Sequence, residues 1–330
     1  MRPTGKLHLG HLVGALENWV KLQDSYETIY GIVDWHALTT GYKDTALLQE
    51  NIFDTAVDWI SVGIDPERSI IMVQSHVKEH AELHLLLSMI TPTPWLIRNP
   101  TVKEQARAMG LIDETTDENM MKIDFGHLGY PVLQTADILV YEADTVPVGE
   151  DQVPHIEISR EIARRFNFLY GANGYQFPEP QHKLTPTPRL PGVDGNMKMS
   201  KSLNNCIYLS DDDDTIQAQV KKMVTDPQKL RKNDPGRPEI CSVYTYHKVF
   251  NSTEAPAIEA TCRTGELGCV ACKKNLGEKI AVKLEPFRIK RRELVNDRAG
   301  VEKMIKEGSD RARAMASETM KKVRQAMRLV

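Results

Sequence analysis

Two short motifs that could bind phosphate lie far apart along this chain. The first reads His8-Leu9-Gly10-His11, and the second reads Lys198-Met199-Ser200-Lys201-Ser202. A helix beginning at the first motif would offer free N–H groups and partial positive charge, and its two histidines would share one face. The paired lysines of the second motif suit a mobile clamp on the β- and γ-phosphates. In this order, the two motifs indicate chemistry at the α-phosphate of ATP.

Each motif taken alone has a simpler interpretation. Two histidines at the start of a helix are often ordinary surface residues, and a Lys-x-x-Lys sequence is often a basic surface loop. Gly10 would let a ligand approach the backbone closely. It is the combination of the two motifs that favours a nucleotide site, and this requires the two segments to converge in the fold.

The composition is that of a globular protein. The chain has 330 residues, of which 41% are hydrophobic and 26% charged, and its length predicts two domains of roughly 150 residues each. We find no apolar run of about 18 residues and no signal-peptide pattern, so we expect a cytoplasmic protein without a membrane segment.

The positive charge of the chain is concentrated near its C-terminal end. The net charge is -3, yet residues 273–330 carry 17 Lys and Arg against 8 Asp and Glu. This basic region would suit a polyanionic partner, or it is a solvated helical surface.

Hydrophobic periodicity predicts alternating helices and buried strands in the first part of the chain. Apolar runs at 28–34 and 69–73 are typical of parallel strands, and 145–148 is a shorter one. Helical spacing covers 9–22, 47–62, 79–90, 133–141 and 151–165, whereas 92–118 is predicted to be rich in loops. Beyond residue 211 the pattern is mostly helical, at 215–224, 243–249, 273–290 and 300–330.

These elements predict an α/β fold with a doubly wound, parallel, Rossmann-like sheet and a C-terminal helical domain. We place the catalytic domain at 1–210, with a loop and helical insertion around 85–130, and the helical domain at 211–330. A phosphate-binding helix in such a fold normally follows a strand. Only seven residues precede His8, so we expect the first strand to be missing from this chain.

The two motifs resemble the signature sequences of class I aminoacyl-tRNA synthetases. Residues 33–38, 130–139 and 146–152 extend the match, and together they resemble tryptophanyl-tRNA synthetases over nearly the whole chain. The resemblance implies activation of L-tryptophan with ATP and Mg²⁺, transfer to tRNA(Trp), and a homodimer. Alternatives are a tyrosyl-tRNA synthetase, an inactive tRNA-binding paralogue, and a metal-cluster redox protein, for which no flavin or nicotinamide fingerprint exists.

The resemblance also implies roles for individual residues. No side chain acts as a nucleophile, because the amino-acid carboxylate attacks the α-phosphate and the protein positions and stabilises charge. The implied catalytic residues are His8, His11, Lys198, Ser200 and Lys201. The implied ATP-binding residues are Arg2, Gly10, His11, Gly149, Glu150, Asp151, Lys198, Met199, Ser200, Lys201 and Ser202, with Lys103 as a further phosphate ligand.

The implied tryptophan-binding residues are His36, Tyr130, Gln134, Asp137 and Gln152. Asp137 could accept the indole N–H in a charge-assisted hydrogen bond, but it could equally accept a tyrosine hydroxyl. Tyr130 could instead be a packed core aromatic. Two positions depart from the common pattern: Gln134 stands where some tryptophan enzymes carry Met, and Arg2 stands where many carry Gln.

Four cysteines near the C-terminal region form a separate pattern. Cys241, Cys262, Cys269 and Cys272 read Cys-x20-Cys-x6-Cys-x2-Cys, and soft thiolates select zinc or an iron–sulfur cluster. A subset of tryptophanyl-tRNA synthetases carries a similar pattern, with x22 in the first gap, around a 4Fe-4S cluster. We therefore favour a 4Fe-4S cluster, with zinc second and four free thiols as the alternative. Cys206 is interpreted as an ordinary core or loop cysteine.

Overall fold

The computed structural model describes residues 1–184, 190–195 and 199–329. The strands are β1 (Ile29–Ile32), β2 (Ile70–Val73), β3 (Thr145–Val148) and β4 (Gln181–Leu184). The α-helices are α1 (Leu9–His11), α2 (Glu17–Leu22), α3 (Asp34–Gly41), α4 (Leu48–Ser61), α5 (Glu79–Ser88), α6 (Thr93–Ile97), α7 (Pro100–Ala108), α8 (Asp117–Met120), α9 (Phe125–Leu139), α10 (Val153–Tyr170), α11 (Asp213–Lys222), α12 (Ser242–Phe250), α13 (Ala255–Thr264), α14 (Cys269–Asn296) and α15 (Arg298–Ala326). A π-helical stretch, Leu12–Leu16, joins α1 to α2.

The parallel pair β1–β2 lies between two layers of helices. Ile29 pairs with Ile70, and the register continues to the ends of both strands. Ile71 and Val73 face the core shared with α4, whereas Ile70 and Met72 face the core shared with α5 and α9. A strand covered on both faces needs apolar side chains at every position, which explains its continuous apolar run. The Rossmann-like α/β fold with a helical C-terminal region is confirmed.

The pair β3–β4 is also parallel, with Thr145 opposite Gln181. Periodicity predicts β3 correctly but does not reveal β4. Three of the four residues of β4 are polar, and all but the half-buried His182 are exposed. Among the described residues, the named strands form these two two-stranded sheets.

The prediction that 92–118 is rich in loops is wrong, because α6, α7 and α8 lie there. Pro94 and Pro100 are in the first turns of α6 and α7, where the missing proline N–H needs no partner. Asn99 caps α7 by accepting hydrogen bonds from the N–H groups of Thr101 and Val102. These prolines therefore start helices and do not interrupt them.

The last two helices pack directly on the N-terminal part of the chain. Helix α14 contacts α4 and α11, and α15 contacts β2, α4 and α5. At Gly308, an added Cβ would lie only 2.0 Å from the carbonyl oxygen of Ile71, so glycine permits the close approach of α15 to β2. Ser309 accepts a hydrogen bond from the Val73 N–H at 3.2 Å. The boundary at residue 211 stays a prediction.

The segment before His8 is short and irregular. Met1 donates from its amino group to the Gly31 carbonyl at 2.6 Å and accepts from the Val33 N–H at 3.0 Å, which continues the parallel ladder beside β1. The prediction of a missing first strand is not tested by this arrangement. Within the described ranges, no helix is both long and apolar enough to span a membrane.

Candidate active site

A short backbone ladder brings the two phosphate-binding motifs together. The Leu9 N–H donates to the Ile207 carbonyl at 3.0 Å, and the Leu209 N–H donates to the Leu7 carbonyl at 2.9 Å. His8 and Tyr208 are therefore antiparallel partners. Because the second motif ends five residues before Ile207, the ladder places its loop against the first motif. The convergence that the sequence requires is present in the structure.

The rings of the two histidines of the first motif are in contact at the start of α1, with their planes tilted by 41°. Their ring centroids lie 3.8 Å apart, and the His8 N–H donates to Nδ1 of His11 at 3.2 Å. In a neutral His11 ring, an accepting Nδ1 assigns the proton to Nε2, so Nε2 is a hydrogen-bond donor. A Cβ at Gly10 would lie 3.0 Å from the His8 ring and 3.7 Å from Cβ of Met199. Glycine thus lets the second motif approach the helix start.

The second motif is anchored on the N-terminal segment. Lys201 donates from Nζ to the carbonyl of Gly5 at 2.8 Å and to that of Thr4 at 3.1 Å. Burial lowers the pKa of Lys201, while the nearby Cys206 and Asp58 oppose this shift. The bonds to backbone oxygens leave the ammonium group able to exchange them for phosphate oxygens.

The remaining residues of this motif have different surroundings. Met199 is buried in the same core as Leu7, and the Ser200 N–H donates to Oδ1 of Asn205 at 2.7 Å. Lys198 and the side chain of Ser202 lie outside the described part of the chain. Cys206 is buried in the core, as the sequence interpretation expects.

A second cluster of polar side chains surrounds Asp137, which lies on one face of α9. Tyr130, Gln134 and Asp137 follow helical spacing along this face. Asp137 receives hydrogen bonds from Nε2 of His36 at 2.9 Å and from Nδ1 of His80 at 2.6 Å. Burial raises the pKa of Asp137, but its hydrogen bonds with both histidines outweigh this, and the pKa lies well below its usual range. The group is a carboxylate at neutral pH and can accept an N–H from a ligand.

Two members of this cluster are not identified by the sequence analysis. Gln74 donates from Nε2 to Asp137 at 2.7 Å, and its Oε1 accepts from the Trp35 N–H at 3.1 Å. Gln74 directly follows β2, and ligand sites in such folds lie at the carboxyl ends of strands. Its position in the sequence could therefore have predicted that it belongs to a ligand site. His80 is fully buried and also bonds the Tyr141 hydroxyl through Nε2 at 2.7 Å. Nothing in the sequence pattern singles out His80.

Tyr130 is buried, and its hydroxyl is engaged by a residue that the sequence did not indicate. The hydroxyl lies 2.8 Å from Nε2 of His155 on α10. Burial lowers the pKa of His155 to about 4 and raises the pKa of Tyr130. At neutral pH both groups are uncharged, so this bond joins a neutral phenol to a neutral imidazole. Gln134 is half-buried on the same helix face.

The residues implied to meet the adenosine ribose lie at the turn after β3. Gly149 leads into a single 3₁₀ turn, Glu150–Gln152, and a Cβ at Gly149 would lie 2.8 Å from a carboxylate oxygen of Asp151. Thr101 donates to the Asp151 carbonyl at 3.2 Å, and Gln152 donates to the Asp151 carboxylate at 2.9 Å. The turn is therefore tied to α7.

Two further basic residues, Arg2 and Lys103, are candidates for contacts with ATP. Arg2 approaches the Thr40 hydroxyl on α3 at 3.5 Å. Lys103 on α7 pairs with the exposed Asp117 carboxylate at 3.0 Å. A surface ion pair of this kind is weak, so Lys103 can leave it for a phosphate.

The four C-terminal cysteines line one small cavity, together with Val243, Tyr244 and Ile258 among others, and its volume is about 20 Å³. All four are free thiols. Burial and then the proximity of the other three cysteines raise the pKa of Cys272 to about 12. His247 places Nε2 3.3 Å from Sγ of Cys272. In the part of the chain that is described, no group of three or more His, Cys, Asp or Glu side chains has the geometry of a metal site.

Comparison with known proteins agrees with this geometry. Residues 1–285 match the family described as tRNA synthetases class I (W and Y). The chain belongs to this family.

The most informative relatives match the whole chain. The tryptophan–tRNA ligase of Thermotoga maritima is 49% identical over 333 residues, which cover 100% of this chain and 98% of that protein. The tryptophan–tRNA ligase of Aquifex aeolicus is 46% identical, with the same two coverages. The crystal structure of tryptophanyl-tRNA synthetase from Campylobacter jejuni, complexed with ADP and tryptophan, has a TM-score of 0.86 and 31% identity, and covers 99% of this chain and 98% of that chain.

The partial burial of Lys201 predicts a pH dependence for this synthetase site. The ammonium form is the one that binds phosphate, and its lowered pKa means that it loses its proton as pH rises, before an ordinary lysine with a pKa of about 10.4 would. We expect kcat/KM for ATP in pyrophosphate exchange to fall on the alkaline side through this lowered pKa. Lys201→Arg, which stays protonated, should lose that alkaline fall. An identical alkaline fall in both proteins would assign it to another group.

Proposed function

We propose that this chain is a tryptophan–tRNA ligase, which activates L-tryptophan with ATP and transfers it to tRNA(Trp). The observation that carries the proposal is the ladder between residues 7–9 and 207–209, which joins the two phosphate-binding motifs. A hydrogen-bonded carboxylate, Asp137, supplies a polar specificity group at the end of α9. The full-length similarity to two tryptophan–tRNA ligases supports the same activity.

The reaction needs no nucleophile from the protein. The tryptophan carboxylate attacks the α-phosphate, the bond to the bridging oxygen of pyrophosphate breaks, and Trp-AMP forms. In this proposal, imidazole donors at His8 and His11 would stabilise the charge that develops on the α-phosphate, and Lys198 and Lys201 would stabilise the charge on the departing pyrophosphate. Mg²⁺ bound to ATP supplies further neutralisation of the phosphates. A terminal ribose hydroxyl of tRNA then attacks the activated carbonyl and releases AMP.

The amino-acid site takes tryptophan in this proposal, although a carboxylate could also accept a tyrosine hydroxyl. Asp137 is fixed by three neighbouring side chains, so its position does not depend on the ligand. A site built around such a buried acceptor rejects substrates that lack a matching donor. His36 and Gln134 would line this pocket, and Tyr130 and Gln152 would hold the substrate's ammonium group. Arg2 and residues 149–151 would contact ATP.

The function is tested by ATP–pyrophosphate exchange with tryptophan and with tyrosine, each assayed alone. We expect exchange with tryptophan and none above background with tyrosine. Asp137→Asn should raise KM for tryptophan by roughly 10- to 100-fold, which is the worth of a charge-assisted hydrogen bond, while KM for ATP changes little.

The same assay separates the alternatives. Exchange driven by tyrosine would assign the chain to the other amino acid of the family. No exchange with either, from a folded protein that still binds tRNA, would establish the inactive paralogue. Asp310→Asn, the same change at an exposed carboxylate of α15, controls for the effect of the side-chain change in itself.

We also propose that Cys241, Cys262, Cys269 and Cys272 hold a 4Fe-4S cluster. The donor type supports this proposal, because four thiols from three segments line one cavity, and thiolates are the usual ligands of such clusters. The described side chains do not stand in the geometry of a metal site. The spacing favours the cluster, whereas the small volume of the cavity favours a single zinc ion. In either case the ligands would tie α12, α13 and the start of α14 together. They would thereby stiffen a region whose basic surface suits tRNA.

The bound metal is decided by spectroscopy and metal analysis of anaerobically purified protein. We expect the charge-transfer absorption of an iron–sulfur cluster and about four iron atoms per chain. Cys262→Ser should abolish the absorption, and Cys206→Ser should leave it unchanged because Cys206 does not line the cysteine cavity. If the protein contains stoichiometric zinc and lacks this absorption, the site is a zinc site. If it contains neither iron nor zinc, the four cysteines are free thiols.

We further propose a cytoplasmic homodimer with a catalytic domain at 1–210 and an anticodon-binding helical domain at 211–330. Large apolar side chains are exposed on and beside the insertion around 85–130, and exposed apolar surface often marks an interface. They include Leu85, Met89, Met121 and Phe125. Light scattering that reports a monomer at micromolar concentration would contradict the dimer.

A further inference from the structure

A buried carboxylate on α4 holds the backbone directly in front of the first motif. Asp58 is almost fully buried, with 2% of its surface exposed. Its Oδ2 accepts a hydrogen bond from the Leu7 N–H at 3.3 Å. Leu7 precedes His8 and is itself one end of the ladder that joins the two motifs. Asp58 therefore holds the backbone that directly precedes His8.

One arginine from the C-terminal helices neutralises this carboxylate. Arg291 on α14 donates from Nε to Oδ1 of Asp58 at 2.8 Å, and from its guanidinium to Asp54, one turn earlier on α4. The planar guanidinium spans both carboxylates, which a lysine could not do with the same geometry. Burial raises the pKa of Asp58, and Arg291 opposes that shift. The pair therefore connects α14 to the segment that carries the nucleotide-binding histidines.

The same helix also holds the opposite strand of the ladder. Arg288, one turn before Arg291, donates to the Asp211 carbonyl at 3.0 Å. The Asp211 carboxylate in turn accepts from the Tyr208 N–H at 2.9 Å, and Tyr208 is the partner of His8. Two arginines of α14 thus support both strands. The start of α14 carries Cys269 and Cys272, so the helix runs from the cysteine cavity to the ladder.

We propose that Asp58 and Arg291 are positioning residues for the adenylation step, fixing the first motif against the second and coupling α14 to the ATP site. This inference rests on the proposed function. Neither residue contacts a reacting atom. Their effect is on the placement of His8, His11 and Lys201, and a misplacement of about 1 Å can cost on the order of 100-fold in rate. The Asp58 charge also attracts Lys201, which anchors on Thr4 and Gly5.

The test compares Arg291→Gln, Asp58→Asn and their double variant with the wild type in ATP–pyrophosphate exchange. Arg291→Gln leaves Asp58 buried without its cation, which is the costly state for a buried pair. We expect kcat/KM for ATP to fall more than 10-fold in Arg291→Gln, while the Kd for tryptophan, measured by equilibrium dialysis without ATP, changes less than threefold. The double variant should be no worse than Arg291→Gln, because the unpaired charge is removed.

Arg298→Gln is the matched control. It breaks an ion pair between α15 and Glu50 on the same helix α4, but both partners are exposed, and Glu50 makes no contact with residues 4–8 that the structure records. We expect wild-type kinetics from it. If Arg291→Gln does not fold, as judged by circular dichroism, Arg291→Lys provides the same readout, since it keeps the charge and loses the two-carboxylate geometry.

The outcomes are separable. Equal losses in tryptophan binding and ATP kinetics would indicate a purely structural pair and overturn the inference, as would kinetics like those of the control. A wild-type chain that exchanges pyrophosphate with neither tryptophan nor tyrosine would overturn the proposed function and this inference together. A selective loss in kcat/KM for ATP, in a wild type that is active with tryptophan, supports the positioning role.

Discussion

The hydrogen bonds between residues 7–9 and 207–209 are the constraint on which the nucleotide site depends. They join a segment at the start of the chain to one that lies beyond its middle, and they place the second motif's loop over the helix that carries the first. The base of this loop is thereby fixed at residues 207–209. Backbone pairing suits this task, because it does not consume the side chains that face the ligand.

Buried carboxylates recur at the points where separate elements must stay in register. Asp137 is held by His36, His80 and Gln74, which come from α3, α5 and the end of β2. Asp58 is held by Arg291 and itself holds the Leu7 backbone. In both places the charge is stabilised by specific donors and not by solvent, so the geometry is set before a ligand arrives. In the proposed function, the first cluster serves the amino-acid site and the second serves the nucleotide site.

The C-terminal helices contribute to the same architecture. Gly308 and Ser309 bring α15 onto β2, and Arg288 and Arg291 bring α14 onto the ladder. The cysteine cavity lies at the other end of α14. Helix α14 therefore links the cysteine cavity to the ladder between residues 7–9 and 207–209.

The sequence by itself determined the two phosphate-binding motifs, the alternation of strands and helices, and the grouping of four cysteines, because each is written in local spacing. It misassigned 92–118, since proline in the first turn of a helix looks like proline in a loop, and it missed the polar strand β4. Only the tertiary structure decided that Gln74 and His80 fix Asp137, that His155 engages Tyr130, and that Arg291 reaches Asp58. The physical reason is that these partners lie dozens to hundreds of residues apart in sequence, so no local pattern records that folding brings them into contact.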